Sequence, residues 1–95
     1  MTFYVYMLAS RKNGTLYIGL TDNLSNRIEQ HRNGMVPGFT RTHGVKTLVW
    51  FEGHESRESA FARERSMKRW KRAWKVQLIE DANPDWKDLS SRIPH

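Results

Sequence analysis

With 95 residues the chain has room for one domain, and 16 Lys+Arg against 10 Asp+Glu leave a formal charge of +6. It contains no cysteine, which excludes a disulfide framework, a thiolate zinc site and a thiol nucleophile. The cationic excess makes a polyanion the first expected partner, and no apolar run approaches the ~18 residues of a membrane span, so the chain reads as soluble and cytoplasmic with no membrane partner.

Phe3 to Leu8 is aromatic, β-branched or large and runs into Arg11-Lys12-Asn13-Gly14, after which Thr15 to Leu20 resumes strand character. Asn-Gly between two such runs predicts a β-hairpin. Strand alternation puts Tyr4 and Tyr6 on one face and Phe3, Val5 and Met7 on the other. In the return strand Leu16, Ile18 and Leu20 share a face and Tyr17 takes the opposite one.

Thr21-Asp22-Asn23 supplies capping side chains and Asn33-Gly34 a stop, so a helix of about three turns is expected between them. Leu24, Arg27, Ile28 and His31 fall at i, i+3, i+4 and i+7, which places an arginine and a histidine on the apolar stripe. Met35 to Gly44 reads as a loop. Lys46 to Glu52 reads as a third strand, with Thr47, Val49 and Phe51 alternating against Leu48 and Trp50, and Gly53 breaks it.

A long helix is expected from about Ser56, ending no later than Asn83-Pro84, with a short helix or ordered arm around Trp86 and Leu89 beyond it. The whole is read as one domain over residues 1–95, its core at about 3–80 and a C-terminal arm at about 81–95. Between Arg63 and Lys75 seven of thirteen residues are cationic: Arg63, Arg65, Lys68, Arg69, Lys71, Arg72 and Lys75. Met67, Trp70 and Trp74, interleaved at helical spacing, read as core. The cations read either as a solvated face or as a phosphate clamp that a polyanion relieves of its self-repulsion. Glu64 lies about 60° from the centre of the Ala60, Met67, Trp70, Trp74 stripe, at the border of the buried face, where a carboxylate needs a salt bridge to Lys68 or Lys71, or a metal.

Tyr4-Val5-Tyr6, Tyr17-Ile18-Gly19, Leu24-x-x-Arg27-Ile28-x-x-x-His31 and a later helix bearing Glu64 together resemble the GIY-YIG nuclease superfamily. The likeness is to its small stand-alone members and to the nuclease domain found in excinucleases, and it spans roughly Phe3 to Trp74. Tyr4 stands where the family name has glycine and Val5 where it has isoleucine, while Tyr6 keeps the tyrosine of that triplet.

The resemblance implies a small α/β (α+β) domain, a three-stranded antiparallel sheet flanked by helices, that hydrolyses phosphodiesters with one divalent metal, Mg²⁺ or Mn²⁺. It implies that Tyr17 activates or orients the attacking water with Tyr6 beside it, that Arg27 binds the scissile phosphate, that His31 assists proton transfer and that Glu64 holds the metal. Asn83 would match a family asparagine at the edge of the site. Arg41, His43, Arg63, Lys68, Arg69, Lys71 and Arg72 are the expected backbone contacts to nucleic acid, DNA more than RNA. The resulting expectation is a structure-directed endonuclease, with a protein partner or a homodimer mate for targeting. Two other readings stand beside it: a binding module on the same fold without turnover, and an adaptor that docks a protein through exposed Trp70, Trp74 or Trp86.

The chemistry is coherent with this set. Hydrolysis needs an activated water, neutralised phosphate oxygens and a stabilised leaving oxygen. The planar fork of Arg27 suits phosphate, Arg27 and His31 together are expected to make a cationic surrounding for the tyrosines, and one carboxylate is enough for Mg²⁺, which keeps waters and takes a further ligand from the substrate.

Overall fold

The structure is a computed structural model, and it describes residues 1–35, 38 and 42–94. Three strands, β1 (Phe3–Ala9), β2 (Leu16–Thr21) and β3 (Thr47–His54), form one sheet in the order β2-β1-β3 with both pairings antiparallel. Helix α1 (Leu24–Arg32) follows β2, helices α2 (Arg57–Lys68) and α3 (Arg72–Ala82) follow β3, and a 3₁₀ turn (Ser90–Arg92) closes the chain.

The hairpin forms as its sequence dictates: Asn13 takes the left-handed conformation at φ 59° and Gly14 N–H closes the turn on the Arg11 carbonyl. Side-chain alternation then builds two cores on the two sheet faces. Val5, Met7, Ala9 and Ile18 pack with Ala60, Met67 and Ile79 under α2 and α3, while Tyr6 and Leu8 pack with Leu24 and Ile28 of α1 and with Leu89 and Ile93.

Strand β3 departs from simple alternation. Its register with β1 slips between Met7 and Leu8, so that Met7 faces Trp50 and Leu8 faces Leu48, leaving Val49 as an extra residue. The bulge puts Val49 and Trp50 in the same core. Gly53 does not end the strand, which runs on to His54; Tyr4 lies opposite Gly53, and that pairing carries the ladder past the glycine.

The expected single long helix is two. α2 is capped by Ser56, whose side chain accepts from the Ser59 N–H, and it stops at Lys68; Lys71 is extended, with ψ 148°, and starts α3. Geometry gives the reason. One straight helix over residues 57–82 would be about 39 Å long at 1.5 Å per residue, whereas the largest extent of the molecule is 30 Å. Met67 and Ile79 both serve one core cluster, and only a corner between them allows it. Arg72 fixes that corner to the hairpin, its Nη2 donating to the carbonyls of Asn13 (2.9 Å) and Gly14 (2.6 Å).

The C-terminal arm wraps the β3 edge of the sheet. Asn83 is buried; its Nδ2 donates to the Val49 carbonyl at 3.1 Å and the Lys87 carbonyl at 2.9 Å, and its Oδ1 accepts from the Lys87 N–H at 3.0 Å. Trp86 is buried with φ 56°, its indole N–H donating to Glu80 at 2.8 Å. Leu89 N–H then pairs with the Leu48 carbonyl, and Arg32 of α1 binds Asp88 and Ser90, each at 2.6 Å.

Candidate active site

The site is assembled at the β2 edge by three elements. Tyr6 comes from the centre of β1 and is fully buried. Its ring crosses Gly19 of β2: a Cβ built on Gly19 would stand 2.4 Å from both Cζ and the hydroxyl of Tyr6. The missing side chain is therefore the passage through which the phenol reaches toward the sheet edge.

Helix α1 brings the next two groups. Leu24 and Ile28 anchor it in the core, and the same stripe turns Arg27 and His31 inward. His31 is buried, its Nε2 lies 3.1 Å from the Tyr6 hydroxyl, and its ring stands 5.3 Å from that of Tyr17 and 5.9 Å from that of Tyr6. Tyr17, half-buried on β2, has its ring 6.3 Å from Tyr6. The Arg27 guanidinium acts on the ionisation of the Tyr6 phenol, and its Nη1 donates to Gln30 Oε1 at 3.2 Å, while its Nε is buried without a partner among the described residues.

Electrostatics fix the protonation of this group. Burial pushes the Tyr6 phenol up to about 12, against the opposing pull of the Arg27 guanidinium; the charges of Tyr17 and Glu64 add to the rise. Burial pulls His31 down to about 4, and the Arg27 charge pulls the same way. Both groups are therefore neutral at neutral pH. The expected cationic surrounding is supplied by Arg27 alone, because a buried imidazole beside a guanidinium sheds its proton.

Glu64, on α2, bears electrostatically on Tyr6. Its carboxylate is mostly shielded and lies 3.5 Å from the exposed Lys68 ammonium, an i,i+4 pair. Of the two sequence alternatives the structure shows the lysine partner, and Glu64 also acts electrostatically on Tyr6. Among the described residues no three His, Cys, Asp or Glu side chains form a metal cluster. A lone carboxylate with a displaceable exposed ammonium fits Mg²⁺ or Mn²⁺, which bind through water and substrate phosphate besides one or two carboxylates.

The other expected contacts divide. Arg63 is occupied by Glu52, from Nε at 3.1 Å, and stacks over Trp70 at 5.2 Å. Arg72 is spent on the hairpin carbonyls, and Lys68 on Glu64. Arg69 and Lys71 are exposed at the corner between α2 and α3, with Lys71 Nζ 5.9 Å from the Trp74 ring. His43 is exposed, and Arg41 lies outside the described residues. Asn83 is not with the tyrosines: its amide is consumed at β3 by the C-terminal arm. Trp74, expected in the core, is 56% exposed because α3 turns it outward past the corner, whereas Trp86 is buried. Sequence reasoning gave Gly19 no role, although its place directly after Tyr17-Ile18 was the available signal.

A family model described as the GIY-YIG catalytic domain matches residues 2–77, the stretch holding Tyr6, Tyr17, Arg27, His31 and Glu64. The chain belongs to the GIY-YIG family. GIY-YIG domains are generally those of endonucleases. A UPF0213 protein of Clostridium perfringens is 43% identical over 76 residues, covering 80% of this chain and 81% of that one. A UPF0213 protein of Staphylococcus haemolyticus is 35% identical over 78 residues, covering 82% and 94%. The solution NMR structure of a UPF0213 protein from Bacillus halodurans superposes with a TM-score of 0.58 at 32% identity over 93% of both chains, so this small GIY-YIG fold recurs in a solved relative. No helix among the described residues is long and apolar enough to cross a membrane.

Proposed function

We propose that this GIY-YIG protein is a metal-dependent endonuclease that hydrolyses phosphodiester bonds in nucleic acid, DNA in the first place, and recognises structure over sequence. The observation that carries the reading is the meeting of Tyr6, Tyr17, Arg27 and His31 at one sheet edge, with Glu64 acting on Tyr6 from the opposite helix layer.

Arg27 binds the non-bridging oxygens of the scissile phosphate and offsets the charge that grows there in the transition state. Tyr17, the half-exposed phenol, orients the attacking water. Tyr6 and His31 are positioning residues. Tyr6 stays protonated, and in the Nδ1–H tautomer the neutral imidazole accepts its hydroxyl proton at Nε2, so that the phenol oxygen is aimed at Arg27. Glu64 would hold the Mg²⁺ or Mn²⁺, which when bound supplies a Lewis acid for phosphate oxygens.

Structure-directed action follows from the composition of the surface. Arg69 and Lys71 are exposed cations at the α2–α3 corner, and phosphate contacts of this kind position a strand without reading its bases. Nicked, branched and linear DNA and RNA of one sequence, incubated with Mg²⁺ or Mn²⁺ and with chelator, test the proposal. Metal-dependent cleavage that favours a branched DNA is expected; absence of cleavage on every substrate contradicts it.

A further inference from the structure

Beside Arg27 a hollow of about 340 Å³ opens between the end of β2, the first turn of α1 and the start of α2. Its polar lining includes Asn23, Asn26, Arg27, Gln30 and Arg57, with Asp22 the one carboxylate against two guanidiniums. Arg57 is the first residue of α2, exposed, and makes no hydrogen bond or ion pair among the described residues.

That position is unfavourable for a cation in the protein alone. The N-terminal turn of a helix carries partial positive charge and selects acidic side chains. The first turn of α2 carries one such residue, Glu58, and that of α1 none. Two helix starts and two arginines thus converge on one hollow.

We infer that the hollow between Arg27 and Arg57 is a second phosphate subsite, which takes the backbone phosphate next to the scissile one on the same strand. This rests on the reading of the protein as a nuclease of nucleic acid. Arg27 then bridges two consecutive phosphates with different N–H groups of its fork, and Arg57 holds the outer one. The strand leaves the tyrosine pair across the first turn of α1, and its register on the enzyme is set by charge, not by bases.

The test is binding of a labelled oligothymidylate in chelator, with no cleavage read, as a function of salt. Each neutralised phosphate contributes about 0.7 to the slope of log affinity against log salt for a single strand. Arg57→Ala is expected to make the slope shallower by about that amount and weaken binding several-fold at low salt, with Arg57→Lys restoring the slope. Lys87→Ala, which removes an exposed cation on the C-terminal arm, serves as the control. Equal slopes for Arg57→Ala and Lys87→Ala overturn the subsite and leave the nuclease reading standing. Salt-independent binding by the native protein overturns both. In a parallel NMR titration the Arg57 side-chain resonances are expected to shift with the oligonucleotide, and with inorganic phosphate alone only in the millimolar range. Saturation by inorganic phosphate at micromolar concentration would make the hollow a site for a free anion and overturn the strand assignment.

Discussion

The Tyr6 hydroxyl and His31 Nε2 meet at 3.1 Å with both side chains buried. The pair joins the central strand to α1, and its protonation gives the fold an acid limit. In the folded protein His31 is held down to about 4, whereas in the unfolded chain it titrates near 6.5. Between these values the unfolded state binds more protons, so the stability due to neutral His31 is complete above pH 6.5 and falls as pH drops to 4. The full loss is about 3 kcal/mol at 1.36 kcal/mol per unit. Denaturant midpoints of the native protein and His31→Gln across this window should converge as the pH falls. Parallel curves would contradict the assignment.

At the alkaline end the sign reverses. Tyr6, pushed up to about 12, keeps its proton where an unfolded tyrosine near 10 has lost it. Its contribution is therefore present below pH 10 and disappears as pH rises toward 12. Phenolate absorbance should show one tyrosine ionising only as the protein unfolds. Tyr6→Phe should remove that late step and cost about 1–3 kcal/mol through the partners it leaves unpaired.

Gly19→Ala drives a methyl group to within 2.4 Å of the Tyr6 ring and hydroxyl. The phenol must leave its place over β2 or the strands must part. An overpacking cost of about 1–3 kcal/mol is expected, seen as a lower melting temperature. By NMR, the His31 resonances should titrate closer to 6.5, since the ring that seals the imidazole has moved. An unchanged His31 titration would show that Gly19 does not set the position of Tyr6.

Asn83→Ala removes three hydrogen bonds that hold the C-terminal arm to β3. Two carbonyls and one N–H lose their partner, so about 2–4 kcal/mol of destabilisation is expected. Amide exchange at Leu89, which pairs with the Leu48 carbonyl, should accelerate more than exchange in β1. Cleavage per folded molecule should not change, because the Asn83 amide is spent on β3 and the arm. Loss of turnover with the arm still protected would instead place Asn83 in the site.

Much of this arrangement was legible in the sequence, and the rest was hidden for physical reasons. Asn13-Gly14 and strict alternation fixed the hairpin, and the i, i+3, i+4, i+7 stripe put Arg27 and His31 on the inner face of α1. The break after Lys68 has no local signature: Arg69-Trp70-Lys71 contains neither glycine nor proline, and the turn is imposed by the size of the core. The bulge at Val49 is likewise set by packing against Met7 and Leu8. Neutral His31 could not be read from helical spacing, which says which face a residue takes and nothing about what seals it. Arg57 did leave a trace, a cation on the first turn of a helix, where the dipole disfavours it.

Single-turnover cleavage by the native protein, Glu64→Ala and Tyr17→Phe, on one branched DNA with saturating Mg²⁺, tests the account most directly. Removal of a group that stabilises transition-state charge costs about 100- to 1,000-fold, so a loss of at least that order is expected for Glu64→Ala. Binding of the same DNA in chelator should be undiminished, since Glu64 contributes only negative charge to the interface. Equal cleavage rates for all three proteins would contradict a nuclease centre at Tyr17 and Glu64.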